Sequence, residues 1–132
     1  NAVFFSRMVK KYPGNPLVRL GLGNAFREKG LLERAMAEYR AAIGLNPGLV
    51  DAYDNLGVAL GDTGRYEEAI GYFEQAINTD PANLQPYNNL AVTYTRINRW
   101  RQAKKVWERA LEIDPGFKPA LESLKRLESL GY

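Results

Sequence analysis

The sequence predicts an all-α solenoid, a stack of antiparallel helix pairs. Three observations predict it. Pro13, Pro47, Pro81 and Pro115 stand 34 residues apart, and self-similarity at a fixed period of this length marks stacked repeats. Registering the chain on those prolines gives full units at 16–49, 50–83 and 84–117, and corresponding positions then agree. Leu22-Gly23 matches Leu56-Gly57 and Leu90-Ala91, and Phe26 matches Leu60 and Tyr94. Ala35, Ala69 and Ala103 follow, then the aromatics Tyr39, Phe73 and Trp107, then Ala42, Ala76 and Ala110. Within each unit the apolar residues recur at spacings of three and four, the signature of amphipathic helices.

Residues 1–12 match the latter part of a second helix, with Phe5 at the aromatic position and Pro13 closing it. Met8 stands where alanine is expected, and no partner first helix precedes it within the chain. Residues 1–15 therefore read as the second helix of a partial repeat, either following further repeats or acting as a cap. Phe4, Phe5 and Val9 are expected to lack their usual partner. In unit one, Asn15 is suited to cap a helix whose first position is Pro16. Unit two starts its first helix near Val50 and stops it at Gly64, a residue that tolerates the left-handed conformation past a helix end. Its second helix runs from Tyr66 to about Thr79 and ends because Pro81 disfavours helical geometry at Asp80. Tyr53, Leu56, Gly57 and Leu60 form one stripe; Ala69, Phe73, Ala76 and Ile77 form the facing one. A glycine inside a helix costs about 1 kcal/mol relative to alanine, so the small residue at position 57 and its equivalents predicts a close packing partner. Unit three repeats the pattern with Asn83 as cap and Pro86 in the first turn. Lys118 to Leu130 reads as one more first helix, with Ala120, Leu121, Leu124, Leu127 and Leu130 on its buried face. Lys125 takes the Gly/Ala position there, which predicts that no second helix packs and that 118–132 is a terminal cap, as solenoids need.

These residues resemble the tetratricopeptide repeat, whose 34-residue pattern runs aromatic, Leu-Gly, aromatic, Ala, aromatic, Pro. Tyr53, Leu56, Gly57, Ala69, Phe73, Ala76 and Pro81 match in order; so do Tyr87, Leu90, Ala91, Tyr94, Ala103, Trp107, Ala110 and Pro115. Unit one departs once, with Arg19 at the first aromatic position, which predicts looser packing at that edge. The resemblance covers nearly the whole chain, 1–132 as a single domain. It implies a right-handed α-solenoid that serves as a protein-interaction module, with an extended or helical segment of a partner protein in a concave groove lined by first helices. Two other readings stay open: end-to-end self-assembly into a homo-oligomer through the N-terminal half-repeat, and a scaffold within a larger enzyme such as a glycosyltransferase.

The outward-facing positions of the first helices are the second, fifth, sixth, ninth, twelfth and thirteenth. Unit one offers Leu17, Leu20, Gly21, Asn24, Arg27 and Glu28. Unit two offers Asp51, Asp54, Asn55, Val58, Gly61 and Asp62, and unit three Gln85, Asn88, Asn89, Val92, Thr95 and Arg96. This polar, partly apolar surface suits a peptide. Asn55 and Asn89 share the sixth position, where an amide can both donate to and accept from an extended backbone; they resemble rungs of the asparagine ladder in O-GlcNAc transferase repeats. Gly21 and Ser123 interrupt it. Asn24 and Asn55 also match the asparagines of the carboxylate clamp found in chaperone-binding repeats. Leu20, Gln85 and Asn89 stand where its cations belong, which removes the charge-assisted bonds a terminal carboxylate requires.

Net charge is +3 over 132 residues, too small to imply nucleic acid or a membrane surface without clustering. It is segmented: +5 over 1–49, −6 in unit two, +3 in unit three and +1 beyond. Asp51, Asp54 and Asp62 therefore favour a basic ligand residue opposite unit two. Arg101, Lys104, Lys105 and Arg109 form a basic stripe that lacks the aromatic platform of single-strand binding. With neither histidine nor cysteine, the commonest general base and metal ligands are missing, and no cofactor is expected. Glu67-Glu68 sits in a helical first turn, where acids favour the dipole, and adjacent helical carboxylates diverge. The stretch Gly21 to Phe26 lacks the third glycine and the preceding strand of a dinucleotide fingerprint. Nothing points to an enzyme.

Overall fold

The computed structural model describes residues 1–132 as eight α-helices and no strand. They are α1 (Ala2–Lys11), α2 (Pro16–Glu28), α3 (Leu32–Leu45), α4 (Val50–Asp62), α5 (Tyr66–Thr79), α6 (Gln85–Arg96), α7 (Trp100–Ile113) and α8 (Lys118–Ser129). Each packs on its successor along the chain, as a solenoid requires. In addition α2 meets α4 and α4 meets α6, while α3, α5 and α7 make no comparable contact with one another. The row α2–α4–α6 is thus the tighter, inner one, and it lines the concave side.

Local chemistry sets the boundaries. Asn15 Oδ1 accepts from Leu17 N at 2.9 Å, capping α2 ahead of Pro16. Asn83 Oδ1 accepts from Gln85 N at 3.1 Å, but α6 begins two residues after it, so Asn83 braces the entry rather than occupying the cap. Each hairpin turn passes through a left-handed residue: Gly30 at φ 76°, Gly64 at φ 80° and Asn98 at φ 61°. Between repeats, Asn46, Asp80 and Asp114 precede the conserved-spacing prolines and fold back onto the backbone. Their side chains accept from Gly48 N, Ala82 N and Gly116 N, a turn that mimics a backbone one.

The central helices share one apolar core that includes Tyr39, Leu56, Leu60, Phe73, Leu90 and Trp107. A Cβ on Gly57 would lie 2.5 Å from Phe73 Cε1, and one on Gly23 would lie 2.6 Å from Tyr39 Cε1. The small residue of the first helix is therefore the seat of the aromatic ring from the second. In the half-repeat this seat is missing, and Phe5 finds a substitute. Its ring packs on Gly21 of α2 so closely that a Cβ there would clash with it. Phe4 meets Phe5 edge-on and stays 55% exposed.

One expectation gains a detail and another changes. Arg19, at the first aromatic position, pairs with Glu38 at 3.0 Å, while its Nε–H is buried without a partner. On α8, Ala120 and Leu127 are buried and Leu124 is half-buried, but Leu121 and Leu130 are exposed. Only the stripe facing α7 is covered. Leu121 lies a hundred degrees off that of Ala120, and Leu130 falls past the last helical turn.

Candidate functional site: the concave groove

The groove is built from the inner faces of α2, α4 and α6, and its polar side chains are tied across repeats. Asn24 Oδ1 accepts from Tyr39 OH at 2.7 Å and from Asn55 Nδ2 at 3.1 Å. One repeat on, Asn89 Nδ2 donates to both Asp54 oxygens, at 2.9 and 3.1 Å. Thr93 Oγ1 donates to the Asn89 carbonyl at 2.7 Å. The two sixth-position amides thus knit neighbouring first helices together, and the Asn55 Oδ1 keeps its acceptor capacity.

Asp54 is the buried member of this set. It and Leu20, both expected to face outward, are buried at the seam, because the fifth position turns toward the adjacent first helix. Burial raises the Asp54 carboxyl above its ordinary value of 3.8. The bond from Asn89 pulls it down, Asp51 pushes it up and Arg27 lowers it, in decreasing order of weight. Burial likewise raises the Tyr39 hydroxyl. Asp51, Asp62, Gln85, Val92 and Arg96 are exposed, while Asn24, Arg27, Asn55, Val58, Asn88 and Asn89 are half-buried. Of the three aspartates expected in the groove, Asp51 and Asp62 are exposed and belong to no ion pair.

A recess recurs where one repeat meets the next. Between repeats two and three it is lined by Val58, Asp62, Phe73, Asn89, Val92 and Arg96 among others and holds about 70 Å³. Thirty-four residues on, Val92, Arg96, Trp107, Ser123, Arg126, Leu127 and Leu130 stand at the corresponding places, joined by Trp100. This second recess, between α6, α7 and α8, opens to about 430 Å³. Ser123 is shorter than the asparagine it replaces, which leaves room. Trp100, Trp107, Ser123, Arg126 and Leu130 did not stand among the expected site residues. The signal was present in the repeat alignment: a short side chain at the sixth position, and a thirteenth position that changes from Asp62 to Arg96.

No helix is long and apolar enough to cross a membrane. A family profile described as "Tetratricopeptide repeat" matches residues 62–127, and one described as "TPR repeat" matches residues 23–64. A search of curated proteins gives no match. Among solved structures, one described as "Crystal structure of MamA" is 25% identical, with a TM-score of 0.82 over 91% of this chain and 70% of its own. The "First TPR of Spaghetti (RPAP3) bound to HSP90 peptide SRMEEVD" is 20% identical, with a TM-score of 0.80 over 89% of this chain and 94% of its own. The "Arabidopsis OM64 TPR domain" is 24% identical, with a TM-score of 0.79 over 86% and 94%. Superpositions this close preserve the hand of the coil as well as the pairing of its helices. With both halves of its repeat array matched and its hairpins superposed, the chain belongs to the tetratricopeptide-repeat family, a right-handed α-solenoid and a protein-interaction scaffold.

Proposed function

We propose that the chain binds an extended or helical segment of a partner protein along the groove of α2, α4 and α6. The observation that carries this reading is the make-up of the inner surface. Hydrogen-bonding amides, two free aspartates and the apolar Val58 and Val92 lie on a continuous face instead of enclosing a small substrate. Asp51 and Asp62 favour a basic residue of the partner at unit two, chiefly through encounter rate and specificity. The RPAP3 domain is bound to the HSP90 peptide SRMEEVD, a kind of ligand that this groove is not equipped to hold. Leu20 is buried, Gln85 is uncharged and Asn89 is committed to Asp54, so no cations stand where a terminal carboxylate would need them.

The test uses a partner captured by pull-down and identified by mass spectrometry, then titrated by calorimetry. Asn55→Ala combined with Val58→Lys is expected to weaken binding about tenfold or more, equivalent to about 1.4 kcal/mol, measured well below the variant's Tm, which falls because Val58 packs partly against the core. Unchanged affinity would remove the groove as the binding face. Asn89→Ala is a poor probe for this purpose, because it strips a buried carboxylate of its donor and so costs stability. A second reading, end-to-end self-assembly, is favoured by Val3 and Phe4, 57% and 55% exposed on the open face of α1.

A further inference from the structure

We propose that the recess between α6, α7 and α8 is an anchor pocket for an acidic stretch of the partner, one apolar side chain of which enters the hollow that both tryptophans line. The proposal rests on the groove reading and adds what the C-terminal end of the groove selects. The ion pairs of the fold are Arg19–Glu38, Arg65–Glu33, Arg99–Glu67 and Arg109–Glu74. Arg96 of α6 and Arg126 of α8, both lining the recess, belong to none of them and are exposed. Two unneutralised guanidiniums flanking an apolar hollow offer charge-assisted bonds to carboxylates on either side of an inserted side chain. Trp100, Trp107, Leu127 and Leu130 supply the hollow itself.

Trp107, one of the residues lining the recess, is only 2% exposed, and its Nε1–H is buried without an acceptor. The preceding recess differs. It holds about 70 Å³ against about 430 Å³, has Phe73 in place of the indole, and carries Asp62 as well as Arg96, without a second arginine. The local charge agrees, since unit three and the segment after it are both net positive. A bound segment would therefore run with its basic part over unit two and its acidic, anchored part toward α8.

Trp100 and Trp107 are the only tryptophans of the chain, and both line the recess, so intrinsic emission reports its occupancy. The probe is the capped peptide acetyl-Glu-Glu-Leu-Glu-Glu-amide, with versions carrying Ser for Leu or Lys for every Glu. The leucine peptide is expected to shift the emission saturably, the serine peptide to bind at least about fivefold more weakly, and the lysine peptide to give no shift. Charge reversal by Arg96→Glu with Arg126→Glu should lower affinity for the acidic peptide about tenfold or more and confer binding of the lysine peptide. Ser123→Leu should weaken the acidic peptide by filling the hollow. Both arginines are exposed, so Tm should hold; Arg126→Gln serves as a milder variant with the same expected direction.

Absence of a saturable shift up to about 1 mM peptide, or a shift that survives charge reversal, would overturn the proposal. Failure of the groove reading looks different. A captured partner that loses affinity with Asn55→Ala and Val58→Lys but ignores Arg126→Glu would keep the groove and discard the anchor.

Discussion

Asp54 and Asn98 show how single positions depart from the repeat and what the departure costs. Asn98 takes the left-handed turn that Gly30 and Gly64 take in the earlier units. Asparagine is one of the few side chains that visits this region routinely, which is why the turn survives the change. Asp54 carries a larger cost. Its carboxyl is raised above 3.8 by burial, so the folded state holds the proton to a higher pH than the unfolded chain does. Well below 3.8 both folded and unfolded states hold the proton and no penalty arises. As pH rises past 3.8 the unfolded chain releases it first, and stability falls until the folded carboxyl ionises too. Asp54→Asn keeps an acceptor for Asn89 and removes the ionisation. Thermal melting should show the variant more stable than the parent at neutral pH, with the gain shrinking toward zero as pH falls below 3.8. A gap that widens in acid would contradict the assigned direction.

At the scale of the helix, glycines that look alike in sequence act differently. Gly57 seats the Phe73 ring, Gly64 turns the chain at φ 80°, and Gly61 and Gly71 have open space where a Cβ would go. Gly71→Ala should therefore stabilise α5 by about 1 kcal/mol through helix propensity. Gly57→Leu should destabilise by about 1–3 kcal/mol or more, because the buried ring has nowhere to yield. Chemical denaturation of the two variants checks both, and a neutral Gly57→Leu would refute the ring-on-glycine contact. The helices were legible in the sequence because their limits are written locally. Pro81 and Gly64 stop α5 and α4 where expected, and Asn15 and Pro16 start α2. The groove was less legible. Whether the fifth position of α4 faces solvent or the seam depends on how one hairpin leans on the next, which no local pattern records, so Asp54 was misplaced. The same lean decides that Asn55 and Asn89 spend donors on Asn24 and Asp54. Leu121 and Leu130 were placed in the core because apolar spacing says which residues share a helix side, not how wide a neighbour covers.

Across the eight helices, order along the chain becomes order in space, and α1 and α8 expose different apolar residues. The first helix exposes Val3 and Phe4, and Leu17 beside it is 62% exposed; the far end exposes Leu121 and Leu130. Apolar surface at two non-equivalent ends permits head-to-tail contact, which leads to open chains of subunits when the rotation does not close. If end-to-end assembly operates, sedimentation velocity should show mass growing with concentration, and Phe4→Glu should hold the protein monomeric without lowering Tm. A single monomeric species across the range would dismiss that reading and leave the groove as the working surface.

Two of the ion pairs bear on how wide that groove stands. Arg65 reaches back to Glu33 and Arg99 to Glu67, each spanning 32 residues from the turn of one hairpin to the start of the preceding second helix. They form a row of identical clasps on one flank of the coil, exposed and hence individually weak. Dissolved ions would loosen every clasp together, so the spiral should behave as a spring whose rest length follows ionic strength. The salt that slows a charged ligand's approach would then also alter the pitch of the cradle awaiting it.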